Sequence, residues 1–363
     1  MRLRIIYDDV IFRLQRVGGI SSVFFHIISI FSKDCDVDVG LISTTTFEID
    51  NLYWQRFTNI KSIVRKYVPL SILQFTPLFL YPSIHTTLVH FTYYNFPLFK
   101  FKNQFFVVTI HDLGYEKKIM QSGFKRLVNI FFKKIAILRA DGIICVSNNT
   151  YIDLLKYYGK YVKKKSIKVI YNGISDNFIN QTINSKSADS KNILFVGSRQ
   201  GYKNFEKVVS SLSSFEGYQL VILGGGKLSI NHLKLLESLL YNRYTVLSDI
   251  SEKDLIFQYN SAFCLIYPSS YEGFGLPIIE AMAAGCPVIT CSNSSLIEIA
   301  EGYAVLIPRA ESIYIKNAIF MLENETYRRG LVLNAKKYSS LFNWDSTHVK
   351  MKDFYRELVS SRS

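Results

Sequence analysis

The segment with the most residues that could bind a ligand lies three quarters of the way along the chain. It reads YEGFGLPIIEAMAAGCPV. It holds two acidic residues, Glu272 and Glu280, eight positions apart. Between them, Gly273 and Gly275 let the backbone approach a ligand closely, and Pro277 is tolerated at the first position of a helix. The free N–H groups of that helix start suit a diphosphate or a sugar oxygen, and both carboxylates can accept hydrogen bonds from ligand hydroxyls.

A second segment, FVGSRQGYKN, carries two cations directly after a predicted strand. An Arg fork at Arg199 and a Lys point charge at Lys203 can stabilise the negative charge that builds up on a departing pyrophosphate. We therefore expect these side chains to do the work of a metal ion and expect no metal site. Two solvated surface cations are the plain alternative.

Two further candidates lie in the first half of the chain. Gly18 and Gly19 form a glycine turn before a predicted helix, where backbone N–H groups can hold an anion. His111 directly follows an apolar strand, at the carboxyl end where parallel sheets bind ligands. A lone histidine is more often structural than catalytic, but this position favours a functional role.

Short apolar strands alternate with longer amphipathic stretches along the chain, a pattern typical of parallel α/β sheets. The predicted strands of the first half are residues 3–7, 37–43, 88–91, 105–110 and 142–146. Those of the second half are 192–196, 219–223, 245–247, 263–266, 287–290 and 304–306. Helices are predicted at 21–31, 123–138 and 345–359.

A polar stretch without periodicity, residues 176–190, separates the two series and is the predicted linker. We expect an N-terminal domain at 1–175, a C-terminal domain at 191–344, and a last helix at 345–363 that packs back towards the N-terminal domain. The predicted fold is α/β, with two doubly wound parallel-sheet domains facing each other across a cleft. The apolar run at 68–82 is too short and too often interrupted to span a membrane.

The segment that begins at Tyr271 resembles the nucleotide-sugar signature of the family 4 glycosyltransferases, which have the GT-B fold of two Rossmann-like domains. The similarity extends from the Gly18-Gly19 turn to Trp344 and is closest to bacterial mannosyltransferases of surface polysaccharide synthesis. It implies a retaining, metal-independent transferase that moves a hexose from a nucleotide-diphosphate donor to a glycan or lipid-linked oligosaccharide acceptor, with GDP-mannose as the expected donor. UDP-glucose, UDP-GlcNAc or UDP-galactose are alternative donors. A non-catalytic sugar-nucleotide-binding protein, and a phosphorylase or epimerase on the same fold, are alternative functions.

The resemblance also implies roles for single residues. Glu272 is expected to contact the hexose hydroxyls, Glu280 the ribose, and His111 the donor sugar, while Arg199 and Lys203 match the diphosphate-binding pair. The other donor-binding positions that the resemblance implies are Gly18, Gly19, Gly273, Phe274, Gly275 and Leu276. A glycine run, residues 224–226, resembles a loop beside the nucleotide. No cofactor is expected, because the nucleotide sugar is the donor substrate.

The chain of 363 residues has a net charge of +14, and the excess is concentrated in its first half. Residues 1–180 hold 24 of the 43 Lys and Arg residues but 12 of the 29 Asp and Glu residues. Two basic runs carry it, interleaved with aromatic residues, which suits an anionic membrane surface. The runs are Lys117, Lys118, Lys125, Arg126, Lys133 and Lys134, and then Lys156, Lys160, Lys163, Lys164, Lys165 and Lys168.

These features predict a cytoplasmic protein that contacts the inner face of the membrane peripherally. The five cysteines are scattered and form no CxxC pair, so neither a disulfide framework nor a zinc site is supported. No nucleic-acid-binding module is found, and such a function leaves the segment from Tyr271 unexplained. A nicotinamide enzyme is disfavoured because no GxGxxG motif follows the first strand.

Overall fold

The computed structural model of the chain describes residues 2–43, 49–57, 61–64, 85–95, 99–120, 123–182, 190–199 and 201–361. The chain divides into two compact units. The first consists of Met1–Gly173 and Trp344–Ser363, and the second is Ile174–Asn343. The apolar run at 68–82 lies outside the described residues. Among those described, no helix combines the length and the hydropathy that a membrane crossing requires.

The first unit contains a seven-stranded sheet in which every neighbouring pair is parallel. Its strands are β1 (Leu3–Asp8), β2 (Val37–Ser43), β3 (Lys61–Val64), β4 (Thr87–Phe91), β5 (Gln104–Ile110), β6 (Gly142–Cys145) and β7 (Ser166–Val169). The order across the sheet is β3-β2-β1-β4-β5-β6-β7. β4 and β5 are buried along their whole length, because helices cover both faces of a parallel sheet.

The helices of this unit are α1 (Val10–Leu14), α2 (Gly19–Lys33), α3 (Phe124–Arg139), α4 (Asn148–Val162) and, at the end of the chain, α13 (Trp344–Ser360). The buried side chains of α2 recur three and four positions apart, the spacing of one apolar stripe on a helix. This stripe meets α13 on one side and the sheet on the other.

The second unit contains a six-stranded parallel sheet. Its strands are β8 (Asn192–Val196), β9 (Gln219–Leu223), β10 (Tyr244–Leu247), β11 (Cys264–Tyr267), β12 (Val288–Cys291) and β13 (Val305–Ile307), in the order β10-β9-β8-β11-β12-β13. Its helices are α5 (Asp176–Ile179), α6 (Phe205–Leu212), α7 (Ile230–Leu239), α8 (Glu252–Ser261), α9 (Leu276–Ala283), α10 (Ser294–Ala300), α11 (Ser312–Glu323) and α12 (Glu325–Ser339).

The strand order reverses once in each sheet, between β1 and β4 and between β8 and β11. Doubly wound sheets bind ligands outside the carboxyl ends of their strands at such a reversal. In the second unit, the loops after β8 and β11 are therefore placed for ligand binding. The candidate residues Arg199 and Lys203 follow β8, and Glu272 follows β11.

All eleven predicted strands are present, with ends that differ by at most one residue. Two strands were not predicted, and both lie at an edge of the first sheet. β7 falls in a lysine-rich run, and its residues are exposed or half-buried in alternation. An edge strand of this kind has no continuous apolar run that a sequence pattern could reveal.

The predicted linker at 176–190 is wrong in its first part. Residues 176–179 form α5, and the buried Phe178 ring lies 6.2 Å from the ring of Tyr259. Lys336 Nζ donates a hydrogen bond to the carbonyl of Ile179 at 3.1 Å. Residues 174–182 therefore belong to the second unit, and 183–189 lie outside the described residues.

Trp344, which was predicted to end the C-terminal domain, is instead the first residue of α13 and part of the first unit. Its ring stacks on His26 of α2 with centroids 5.0 Å apart. Further towards the C-terminus of this helix, Tyr355 is fully buried, and its hydroxyl lies 2.6 Å from His90 Nδ1 on β4. Helix α13 thus completes the core of the first unit.

We predict that Tyr355→Ala lowers the stability of the first unit by about 3 kcal/mol, because it deletes a fully buried aromatic ring. Hydrogen exchange of the β1 and β4 amides measures this local free energy. The control is Glu357→Ala, an exposed position of the same helix, for which a change within about 0.5 kcal/mol is expected. Equal protection in the two variants would contradict the assignment of α13 to this core.

Candidate functional site

Lys203 and Glu272 form an ion pair at the carboxyl edge of the second sheet. Lys203 ends a short 3-10 turn after β8, and Glu272 lies in the loop after β11. Lys203 is 8% exposed, and its ammonium also donates to the hydroxyl of Tyr267 at 2.8 Å. Burial of an ammonium without a counter-charge costs free energy. The charged, buried state of Lys203 therefore depends on the carboxylate of Glu272.

The two loops that carry this pair are joined by further hydrogen bonds. The N–H of Ser270 donates to the carbonyl of Tyr202 at 2.8 Å. The side chain of Asn204 donates to the carbonyl of Pro268 at 2.8 Å. These hydrogen bonds therefore fix the segments after β8 and β11 relative to each other.

The start of α10 fixes the loop that leads from Glu272 into α9. The Glu272 N–H donates to Ser294 Oγ at 3.0 Å, and Ser295 Oγ donates to the carbonyls of Glu272 and Phe274, each at 2.9 Å. Gly275 then caps α9 with a φ of +113°, in the left-handed region. A Cβ at this position would lie 2.9 Å from the Ile299 side chain, so both backbone and space require glycine.

Glu280 lies on α9, which begins at Leu276 with Pro277 in its first turn as predicted. Its carboxylate accepts a hydrogen bond from the Tyr259 hydroxyl at 3.3 Å. Burial raises the pKa of Glu280 to about 7, which outweighs the lowering effect of that hydrogen bond. Glu280 therefore changes charge near neutral pH.

Arg199 is buried against the glycine loop that follows β9. Its guanidinium donates to the carbonyls of Gly224 at 2.9 Å and Gly225 at 2.8 Å, and also to those of Gly226 and Lys227. The three glycines have φ values of +68°, +76° and +76°, which curl the loop around the guanidinium. Burial lowers the pKa of Arg199. A phosphate that binds this side chain must replace some of these carbonyls.

His111 and the Gly18-Gly19 turn belong to the first unit, where His111 directly follows β5 and the turn lies between α1 and α2. The His111 ring lies 5.8 Å from Phe24 of α2, the helix that Gly18 caps. His111 is 8% exposed, and its Nε2 has no hydrogen-bond partner in the described part of the chain. Burial, together with the charge of Lys133, lowers the pKa of His111 to about 3, so its imidazole is neutral at physiological pH.

The structure corrects the assignment of Lys133 to a cationic surface. Lys133 is fully buried, and its ammonium donates to Glu116 Oε2 and to the carbonyl of Asp112, each at 2.9 Å. Glu116 also accepts a hydrogen bond from the Tyr158 hydroxyl at 2.7 Å. Lys133 therefore supports the loop that carries His111.

Two other members of the first basic run are also engaged within the protein. Lys117 Nζ lies 2.7 Å from Asp153 Oδ1, and Arg126 Nε donates to the carbonyl of Tyr115 at 2.7 Å. Half of that run is thus used to hold the first unit together. The spacing of the lysines alone does not distinguish these positions from surface ones.

Asp8 is a polar residue at a strand end that the sequence analysis missed. It closes β1 and is buried, and its Oδ1 accepts hydrogen bonds from the N–H groups of Thr92 at 3.0 Å and Val10 at 3.3 Å. Burial raises the pKa of Asp8 to about 6. The available signal was an acidic pair, Asp8 and Asp9, directly after an apolar strand.

The sequence also contains Asp-x-Asp spacing, in the run from Asp34 to Asp38. In the structure, Asp34 pairs with Lys352 at 2.7 Å, and Asp36 pairs with Lys352 at 3.1 Å and Arg356 at 3.3 Å. These carboxylates hold α13 against the turn before β2.

The predicted site residues thus fall into two groups. Arg199, Lys203, Glu272 and Glu280, with the loop that contains Gly273, Phe274, Gly275 and Leu276, all lie in the second unit around the strand reversal. Gly18, Gly19 and His111 lie in the first. The fold and these loops define a GT-B type protein, with one Rossmann-like sheet in each unit.

Solved structures share this fold over nearly the whole chain. Sucrose-phosphate synthase from Thermosynechococcus elongatus is similar with a TM-score of 0.75 and 20% identity, covering 99% of this chain and 100% of the other. Anabaena HepE in complex with UDP-glucose gives a TM-score of 0.74 at 17% identity, with coverage of 99% and 100%. The predicted GT-B fold is therefore confirmed.

Two family models match the sequence in succession. Residues 51–178 match Glycosyltransferase Family 4, and residues 176–338 match Glycosyl transferases group 1. The O-antigen chain mannosyltransferase RfbU of Salmonella typhimurium is 30% identical over 56% of this chain and 55% of its own length. An uncharacterized glycosyltransferase of Methanocaldococcus jannaschii is 28% identical over 69% of this chain and 68% of its own length.

The chain belongs to the family 4 glycosyltransferases. The predicted family and the predicted enzyme class, a glycosyltransferase, are confirmed. The match spans about half the length of the Salmonella relative.

We predict that Glu280 makes the stability of the second unit fall as pH rises from about 5 to 8. The folded pKa of about 7 lies above the ordinary 4.5, so between these values the folded state holds a proton that the unfolded state has lost. Glu280→Gln removes this effect, and its stability relative to wild type should increase with pH. Urea unfolding at several pH values tests this, with the exposed Glu216→Gln as control. A pH-independent difference between Glu280→Gln and wild type would refute the prediction.

Proposed function

We propose that this chain is a retaining, metal-independent glycosyltransferase. It transfers a hexose, with mannose from GDP-mannose as the first candidate, to a glycan or lipid-linked oligosaccharide in surface polysaccharide synthesis. The observation that carries the proposal is the buried pair of Lys203 and Glu272 at the strand reversal of the second sheet. A cation for phosphate oxygens and an acid for sugar hydroxyls are thereby held together, as a nucleotide sugar requires.

In this proposal the bond between the anomeric carbon and the diphosphate oxygen breaks, and a bond to the acceptor hydroxyl oxygen forms on the same face. The sugar passes through an oxocarbenium-like state. The proton of the acceptor hydroxyl moves to the departing diphosphate, so no protein nucleophile is assigned. Lys203 and Arg199 stabilise the charge that the diphosphate gains, and this charge is the largest that develops.

The other residues orient the donor. Glu272 accepts hydrogen bonds from hexose hydroxyls, and Glu280 accepts them from the ribose. The backbone from Gly273 to Leu276 and the Gly18-Gly19 turn offer N–H groups to anionic oxygens. Neutral His111, whose Nε2 has no hydrogen-bond partner among the described residues, is assigned to a sugar hydroxyl of the donor. The enzyme uses no resident cofactor, and the charges of Arg199 and Lys203 balance the diphosphate instead of a metal ion.

Different relatives favour different donors. The O-antigen mannosyltransferases of Salmonella and Escherichia coli, 30% and 31% identical to matched parts of this chain, favour mannose as the sugar. A UDP-sugar is the second candidate, since HepE is solved with UDP-glucose and a probable sucrose-phosphate synthase of Thermosipho melanesiensis is 29% identical over 69% of this chain. A panel of nucleotide sugars separates them: the true donor raises the melting temperature by binding the folded state and releases its nucleoside diphosphate.

With the donor found in this way, Lys203→Ala and Glu272→Ala should each lower turnover at least about tenfold, which corresponds to roughly 1.4 kcal/mol of barrier. Each substitution removes a group that meets the donor and leaves its ion-pair partner without a counter-charge. Nucleoside diphosphate release at saturating donor measures the effect, with the exposed Lys207→Ala as control. Wild-type turnover in both site variants would remove these residues from the mechanism.

We also propose that the first unit contacts an anionic membrane surface on the cytoplasmic side, near a lipid-linked acceptor. Phe124, Leu127 and Phe131 lie at helical spacing on α3 and are 78%, 61% and 58% exposed. On the neighbouring α4, Lys156 and Lys160 are exposed, and residues 163 and 164, directly after this helix, are exposed as well. Exposed apolar side chains beside a basic face are typical of peripheral membrane contact.

The two helices contribute to one basic surface. Lys134 of α3 and Lys160 of α4 each place their ammonium 5.0 Å from the centroid of the Tyr161 ring. Their hydrogen bonds and charges lower the pKa of the Tyr161 hydroxyl. Lys133, Lys117 and Arg126 are not part of this surface, because their charged groups are bonded within the unit.

Vesicles of phosphatidylcholine with about a third phosphatidylglycerol should carry the wild-type protein upward in a flotation gradient, and pure phosphatidylcholine vesicles should not. Exchanging Phe124, Leu127 and Phe131 for Ser should abolish flotation. The matched control exchanges Ile313 and Phe320 for Ser, two apolar residues of the second unit that are 57% and 58% exposed. If wild type floats equally with both vesicles, or the control loses flotation as well, this surface is wrongly assigned.

A further inference from the structure

Two buried tyrosines at the candidate site take no part in the proposed transfer step. Tyr267 is the last residue of β11, at the strand reversal, and Tyr259 lies on α8. Both are almost completely buried, and both hydroxyls contact a charged residue of the site. Neither stood out in the sequence, because an aromatic residue in an apolar stretch looks like core.

Tyr267 is bonded to the ion pair. Its hydroxyl accepts a hydrogen bond from Lys203 Nζ at 2.8 Å, and the ammonium lies 4.8 Å from the centroid of its ring. Lys203 is also bonded to Glu272. Tyr267 is thus a rigid third partner, fixed by the sheet, that determines where the ammonium and its carboxylate lie.

Tyr259 is bonded to the other acid. Its hydroxyl donates to Glu280 Oε2 at 3.3 Å, and its ring is packed against Phe178 in the core of the second unit. Glu280 has three side-chain torsions and lies on one of the shortest helices of the unit. A fixed donor at one carboxylate oxygen selects one orientation and leaves the other oxygen for a ligand.

Both phenols keep their protons, and Tyr259 needs its proton because it is the donor to Glu280. Burial raises the pKa of Tyr267 and of Tyr259 well above the ordinary value, and the neighbouring acids add to the increase. The charges of Glu272 and Glu280 both contribute to the raised pKa of Tyr267.

We propose that Tyr267 and Tyr259 are positioning residues, one for each acid of the donor site, and that they serve separate tasks. Tyr267 positions Lys203 and Glu272 for the hexose and the reacting bond, and Tyr259 positions Glu280 for the nucleotide. The inference rests on the proposed function, because it assigns the two acids to the two ends of a nucleotide sugar. It predicts that the two hydroxyls affect different measurements.

The test removes each hydroxyl and keeps each ring, in Tyr267→Phe and Tyr259→Phe. Tyr218→Phe is the matched control, because Tyr218 is also buried in the second unit and its hydroxyl donates to Glu323 at 3.0 Å. Calorimetry gives the affinity for the free nucleoside diphosphate, and turnover at saturating donor gives kcat. The donor is the one that the nucleotide-sugar panel identifies.

Tyr267→Phe should lower kcat about tenfold, because the ammonium and Glu272 are no longer held at the reacting bond. It should leave nucleoside diphosphate affinity within about twofold of wild type, because Lys203 keeps its charge and Arg199 still binds the phosphates. Tyr259→Phe should weaken that affinity about tenfold and leave kcat within about twofold. These sizes correspond to the loss of one hydrogen bond to a charged group. Tyr218→Phe should change neither quantity, although it removes a buried hydroxyl of the same kind.

A merely structural role would lower the melting temperature and shift both quantities together. In a Glu280→Gln background, Tyr259→Phe should lose most of its effect on affinity, because interacting residues are not additive. Wild-type values in both tyrosine variants, or the same quantity shifted in both, would overturn the inference while the proposed function stands. A wild-type protein that binds no nucleoside diphosphate and transfers no sugar would overturn the proposed function, and the inference with it.

Discussion

The buried ion pair between Lys203 and Glu272 is the interaction on which the candidate site depends. Burial removes the water that stabilises an isolated charge, so neither group is favourable here alone. The pair joins the loops after β8 and β11, and Tyr267 fixes it to the end of β11. A nucleotide sugar brings phosphate oxygens for the cation and hydroxyls for the acid. It can therefore give the ammonium another anion and the carboxylate other hydrogen-bond donors.

Arg199 is held in a different way, and the difference has a chemical consequence. Its hydrogen-bond partners are backbone carbonyls of the glycine loop, which are dipoles and not charges. An anion that binds Arg199 displaces dipoles and leaves no partner charge unsatisfied, whereas an anion that binds Lys203 must also satisfy Glu272. Arg199 can thus bind an anion independently. Anion binding by Lys203 is instead coupled to a second interaction, in which sugar hydroxyls bind Glu272. This arrangement favours a ligand that is both phosphorylated and glycosidic.

The sequence was sufficient for eleven of the thirteen described strands, because buried parallel strands are continuous apolar runs. It also put the candidate residues Arg199, Lys203 and Glu272 in the segments that follow two of these strands. It was not sufficient for what contacts those charges. Lys133 has the same pattern as its neighbours, and only the fold brings Glu116 to it. Tyr259 and Tyr267 are similarly hidden, since each lies in an apolar stretch. The edge strand β7 was missed because its residues are partly exposed. The edge strand β3 was missed because its four residues are too few to form a recognisable apolar run.

The contacts proposed for the donor determine which features this site can distinguish. Glu280 addresses a ribose, Arg199 and Lys203 a diphosphate, and Glu272 hexose hydroxyls, which are common to GDP-mannose and UDP-glucose alike. These side chains therefore account for binding a nucleotide sugar and for stabilising the leaving group, but they give little discrimination between donors. Discrimination arises when a buried polar group is left unpaired by the wrong ligand. The base and the sugar epimer must therefore be selected by polar groups other than these four, in contact with the purine or pyrimidine edge and with the hydroxyl that differs.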